Sequence, residues 1–175
     1  MLQIRPFLAY HAPLDLYEDL RQITQTDNMN VNVCVGKEWH RFPNSYFLPN
    51  DKWRLRFIKS EFSGQLPQQY SRTEHATRII QSHFNDINRE ESSRYTNLAD
   101  CDYLVDTDYP NYSQLDFPYS KDKDIWKVVL SRPFLDTENS AFPWRVFYVP
   151  IYGEKGLTYI NYNLLQRIKK EPQTI

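Results

Sequence analysis

Val31-Asn32-Val33-Cys34-Val35-Gly36-Lys37-Glu38-Trp39-His40-Arg41 is the stretch from which the fold class is read. Val31, Val33 and Val35 alternate with Asn32 and Cys34, the period-2 pattern of a strand that packs one face on a core. Gly36 ends the strand. Lys37 to Arg41 then gather three charges and two ring systems in five positions, a density suited to contact with an anion, a sugar or both.

Upstream, Pro13 sits where a helix tolerates proline, at its first turn, and Asp15, Glu18 and Asp19 place negative charge near the positive end of the helix dipole. Leu16, Leu20 and Ile23 give this helix one apolar face, which predicts packing on the sheet that begins at Val31. Thr26-Asp27-Asn28 reads as its exit. Leu2, Ile4, Phe7 and Leu8, in residues 1–9, fit either the tail of a preceding membrane segment or a leading strand.

Downstream, residues 42–47 suggest a short helix closed by Pro49, and Trp53 to Ile58 alternates as a second strand. Ser60 to Gln81 reads as a long connection, and residues 84–100 as a solvated helix or turns. Cys101 to Val105 reads as a third strand and Trp126 to Leu130 as a further strand or a short helix, separated by a loop from Asp106 to Asp124. Trp144 to Tyr152 and Thr158 to Leu165 are expected to pair as a C-terminal β-hairpin about the turn Gly153-Glu154-Lys155-Gly156. Helices mixed with five or six strands predict an α/β or α+β fold: a single small soluble domain with a mixed sheet, flanking helices and that hairpin. Its expected span is 10–166, with 167–175 as a polar tail.

Composition agrees with one globular domain. The 175 residues are 41% hydrophobic and 25% charged, with four Gly against eleven Pro. An aromatic fraction of 15% serves a core or a stacking surface equally well. A formal net charge of −1 sets nucleic-acid binding aside, since nothing supplies the basic field that phosphate backbones require. No run approaches the roughly 18 apolar residues of a membrane helix.

Gly36 to Pro43 with Phe47-Leu48-Pro49 resembles the C-terminal region of the dolichyl-phosphate-mannose-dependent alpha-1,2-mannosyltransferase family of N-glycan assembly (glycosyltransferase family 22). Tyr10 to Tyr17, Ser60 to Pro67, Glu90 to Tyr95, Tyr103 to Asp106 and Arg132 to Asp136 look like that family's other segments, in its order. The resemblance covers most of residues 10–165. It implies the soluble, luminal C-terminal part of a multi-spanning endoplasmic-reticulum membrane enzyme, with the membrane portion of the same enzyme as partner. Dolichyl phosphate mannose and lipid-linked oligosaccharide are the implied substrates, and no cofactor is implied. That family's proposed catalytic acids lie in a luminal loop near its N-terminus, to which nothing here corresponds, so no catalytic residue is assigned and the segment alone is not expected to catalyse. The alternative is a stand-alone carbohydrate-binding or scaffold module without transferase activity.

Five groups of residues invite chemistry. Lys37, Trp39 and Arg41 are the candidates for acceptor binding: two cations for phosphate oxygens and a ring for a sugar face. The competing reading puts Trp39 in the core and pairs Arg41 with Glu38 or Glu61. Asp106-Thr107-Asp108 has the Asp-x-Asp form by which sugar-nucleotide transferases hold a divalent ion, but such triplets are common in turns and the family resembled is not thought to use that site. His11, His40, His75 and His83 lack zinc-site spacing, so no metal is expected. Asn111-Tyr112-Ser113 is a glycosylation sequon in a loop expected to be exposed. Cys34 and Cys101 suit either buried thiols or a disulfide, and the luminal side implied by the resemblance permits the bond.

Overall fold

The computed structural model describes residues 3–4, 9–23, 30–41, 45–69, 71, 73–148 and 155–168. Its frame is a five-stranded mixed sheet in which Val31–Val35 (β2) lies between Trp53–Phe57 (β3) and Tyr103–Thr107 (β4), parallel to both. Tyr159–Arg167 (β7) runs antiparallel to β4, and Trp126–Leu135 (β5) runs antiparallel to β7, giving the order β3-β2-β4-β7-β5. A second, two-stranded sheet pairs Gln3–Ile4 (β1) with Phe147–Tyr148 (β6).

The period-2 pattern decides what each face of the sheet buries. Val31, Val33 and Val35 share one face with Trp53, Phe57, Tyr103, Val105, Tyr162 and Leu164. The α-helix Ala12–Leu20 (α1) covers it with Leu16, Tyr17 and Leu20, after starting with Pro13 in its first turn. Arg132 of β5 forms an ion pair with Asp19 and fastens the helix to that edge. The opposite face gathers Cys34, Ile58, Cys101, Leu104, Trp126 and Leu165 beneath loops rather than a helix. There Cys34 and Cys101 are joined in a disulfide with a Cα–Cα distance of 5.8 Å, tying β2 to the approach to β4.

The sheet edges carry the usual protection against further pairing. Pro133 interrupts the donor row of β5, and a register shift between Val128 and Leu130 kinks it. At the other edge the Gln69 side chain donates to the Leu55 carbonyl of β3 (2.7 Å).

Several expected elements take a different form. β7 pairs with β4 and β5, and the described part of the expected partner, residues 144–148, does not join it; residues 149–152 of that segment lie outside the described residues. The amides of Arg145, Val146 and Phe147 are already donated to Ala141 and Pro143 carbonyls in a local turn, and Phe147–Tyr148 pairs with β1. Gly153 and Glu154 of the expected turn lie outside the described residues, as do residues 169–175 of the expected tail. So do residues 1–2 and 5–8, on which the membrane-tail reading mostly rests, and Thr26, Asp27 and Asn28 of the expected helix exit. Residues 84–100 hold the single 3-10 turns Ser92–Arg94 and Leu98–Asp100 and one parallel bridge from Tyr95 to Phe57, with no longer helix. Among the described residues no helix is long and apolar enough to cross a membrane.

Candidate functional site

The carboxyl ends of β2, β3 and β4 meet along one edge of the sheet, the place where open α/β sheets commonly bind ligands. β2 runs into Gly36 there. A Cβ at Gly36 would come within 3.1 Å of Ile58 Cγ1, so a bare residue lets the chain turn tightly against β3. The next residues, Lys37–His40, form one turn of 3-10 helix closed by Trp39 N–H to Gly36 O (3.1 Å) and Arg41 N–H to Glu38 O (3.0 Å).

This turn straddles the sheet, so Lys37 and Glu38 reach opposite faces. On the loop-covered face Lys37 Nζ lies 3.0 Å from Asp106 Oδ1 and donates to the Asp116 carbonyl (3.1 Å). Asp106 Oδ2 accepts the Tyr119 amide (2.8 Å). Burial raises the Asp106 carboxyl from 3.8 to about 6, against the opposing charge of Lys37 and the Tyr119 hydrogen bond. A shallow recess beside it is lined by Lys37, Lys59, Asp106, Asp116 and Tyr119. Lys59 is itself paired with Glu90 and lies over the Tyr95 ring.

On the helix-covered face Glu38 is 2% exposed. Thr107 Oγ1 donates to its Oε1 (2.8 Å), and Arg41 Nε lies 2.7 Å from Oε2. Arg41 also donates to the Tyr109 hydroxyl (3.3 Å) and rests its guanidinium 4.6 Å from the centroid of the Phe134 ring. The hydroxyls of Tyr17 and Tyr162 lie buried close by without a protein hydrogen-bond partner. Burial pushes both phenols well up, and the negative charge of Glu38 adds to it in each case.

The structure therefore brings Lys37, Trp39 and Arg41 into one turn but sends them to three separate internal partners. Lys37 meets Asp106. Trp39 stacks on Phe62 with ring centroids 3.9 Å apart, and Arg41 pairs with Glu38. They do not converge on a common open surface. From sequence, Glu38 is visible only as a partner for Arg41, Thr107 only inside the Asp-x-Asp triplet and Tyr17 only as the end of a family segment, and Tyr162 is not singled out. For Glu38 the available signal was a charged residue just past a buried strand.

Asp106 and Asp108 do not face one ion, because they serve different donors: Asp108 accepts both the backbone and side-chain amides of Asn161 (2.7 Å each). Among the described residues no group of three His, Cys, Asp or Glu side chains could hold a metal. Asn111 is exposed, and Ser113 of its sequon accepts the Asp116 amide (3.3 Å).

No family model matches the chain. It is 44% identical over 173 residues to "Alpha-1,2-mannosyltransferase ALG9" of Mus musculus, covering 95% of this chain and 28% of that protein. The protein of that name from Homo sapiens is 44% identical over 167 residues, covering 91% of this chain and 27% of the relative. "Alpha-1,2-mannosyltransferase alg9" of Schizosaccharomyces pombe is 35% identical over 178 residues, covering 93% and 31%. The chain thus spans less than a third of the length of these curated relatives.

Proposed function

The chain belongs to the ALG9 alpha-1,2-mannosyltransferase family, whose C-terminal region it matches, and from that premise we propose that it is the luminal C-terminal part of such an enzyme. In this reading the longer enzyme moves mannose from dolichyl phosphate mannose to a lipid-linked oligosaccharide in the endoplasmic-reticulum membrane, and this segment supports the reaction without performing it. The observation that carries the proposal is the match along nearly the whole chain to one stretch of much longer mannosyltransferases. Attack by an acceptor hydroxyl needs a general base with a free lone pair. Along the described sheet edge Glu38, Asp106, Asp108 and Asp136 are instead each engaged by internal donors or cations, which supports a scaffolding part.

The luminal assignment draws support from the Cys34–Cys101 disulfide, a bond that persists in oxidising compartments, and from the exposed Asn111 sequon. The internal engagement of Lys37, Trp39 and Arg41 favours a structural role for the turn over direct acceptor contact. In the full-length enzyme Trp39→Ala and Arg41→Ala are expected to lower stability while leaving acceptor affinity in the remaining folded enzyme unchanged. A selective loss of acceptor affinity would return these residues to the acceptor site. The larger reading is tested by assaying mannose transfer with the full-length enzyme, the enzyme lacking this segment, and the segment alone. Activity in the segment alone, or full activity without it, contradicts the proposal.

A further inference from the structure

β3 presents an unusual pair of cations. Trp53, Leu55 and Phe57 pack inward beneath α1, so Arg54 and Arg56 point to the other face, beside the disulfide. The register sets Arg54 next to Asn32 and Arg56 next to Cys34. Their Cα atoms, two residues apart on one strand, are separated by roughly 6.6 Å. Nothing on β3's outer side belongs to the five-stranded sheet, since β3 is its edge strand.

Among the described residues neither guanidinium meets a carboxylate, whereas Lys37, Arg41, Lys59 and Arg132 each pair with one. Arg54 instead donates to Asn30 Oδ1 at 3.3 Å, and Arg56 to Asn32 Oδ1 at 3.4 Å, both long contacts to neutral amides. Arg54 Nε is buried without a hydrogen-bond partner among the described residues. Burial and then the neighbouring charge of Arg54 push the Arg56 guanidinium's pKa down, with no acid acting on it in the opposite sense. Two half-buried like charges held side by side by neutral acceptors disfavour the folded chain, and an anion lying between them would relieve that cost.

We propose that Arg54 and Arg56 form a binding site for a phosphate-type oxyanion, taken up between two planar forks on one strand face. A guanidinium fork matches phosphate oxygens two at a time. A pair spaced by one strand repeat spans more oxygens than a single carboxylate offers, which favours phosphate or diphosphate as the ligand group. The site is separate from the Lys37 turn and stands apart from the proposed transferase role.

The test is titration calorimetry of the purified chain with inorganic pyrophosphate at low ionic strength, alongside flotation with phosphatidylcholine vesicles with and without phosphatidic acid. Binding of pyrophosphate alone identifies a soluble ligand. Flotation only with phosphatidic acid, competed by pyrophosphate, identifies a lipid headgroup, and both results support the site. Arg54→Gln/Arg56→Gln is expected to weaken binding about tenfold or more, the loss of charge-assisted hydrogen bonds. Lys127→Gln, on the opposite edge strand, is expected to leave it unchanged. Should the double glutamine variant fail to fold, Arg54→Lys/Arg56→Lys keeps the charge and removes the forks, and it must bind more weakly than the parent chain. Absence of binding to both probes, a glutamine variant that binds like the parent, lysine substitutions without effect, or an equal loss from Lys127→Gln overturns the proposal.

Discussion

Asp106 is a carboxyl that the fold holds against its preference for ionisation. Because burial raises its pKa from 3.8 to about 6, the folded chain binds a proton there more tightly than the unfolded chain. Its contribution to stability is therefore fully present below pH 3.8 and is lost as pH rises through about 6, a total of about 3 kcal/mol. Comparison of the parent chain with Asp106→Asn isolates this effect from the other carboxylates. The stability of the parent relative to the variant should fall between pH 4 and pH 7, measured by urea denaturation at each pH, and a flat or rising difference would contradict the assignment. On the other face Thr107→Val removes the hydroxyl that donates to buried Glu38. It is expected to cost about 1 to 3 kcal/mol by the same measurement, because an acceptor is left unsatisfied in a low-dielectric setting. Neither residue's partner was legible in sequence. Asp106 was visible only as half of an Asp-x-Asp triplet, and the contacts that define it come from residues 69 and 13 positions away in the chain, Lys37 and Tyr119. Local patterns carry the alternation of strands but not which carboxylate a lysine will meet across a sheet edge.

Elements were more readable where they are amphipathic. Leu16 and Leu20 at helical spacing after Pro13 announced α1, and both are fully buried. Leu16→Ala should destabilise by about 3 kcal/mol through lost burial and the cavity left behind. Leu14→Ala, on the 46%-exposed side of the helix, should change stability by less than about 0.5 kcal/mol. Equal effects at the two positions would refute the helix face. β2, β3 and β4 were legible for the same reason, since their valines and aromatics alternate. The pairing of β7 was not, because β7 is buried on both faces through Tyr162, Leu164 and Leu165, and sequence proximity to 144–152 outweighed the more distant β5 in the reading. Turn hydrogen bonds at Ala141 and Pro143, which no periodicity records, divert that nearer segment. Cys34 and Cys101 left two options open on sequence. The bond closes a separation of 67 residues, so Cys34→Ala/Cys101→Ala should lower unfolding free energy by about 4 kcal/mol in the chain-entropy account. An unchanged denaturation midpoint would mean that the bond contributes nothing to this fold.

In the reading proposed above the chain is one segment of a longer enzyme; its described residues form a sheet covered by α1 on one face and by loops on the other, with acids at the strand ends engaged internally. At this scale the resemblance seen in the order of six short motifs agrees with the match along most of the chain to the ALG9 mannosyltransferases. Among the described residues Glu38, Asp106 and Asp108, at the ends of the central strands, are engaged by internal partners, in keeping with the supporting role proposed above. If the segment is luminal, Asn111→Gln should abolish a glycosidase-sensitive mobility shift of the full-length protein. An unmodified Asn111 with the parent protein already insensitive would remove that support.

The most direct measurement is an immunoblot of membrane and soluble fractions of the source cells with an antibody against this segment, before and after alkaline extraction. The account predicts a band far larger than 21.1 kDa that stays with the membranes. A soluble band at the mass of the chain itself would contradict it, and the transferase role would then have to be withdrawn.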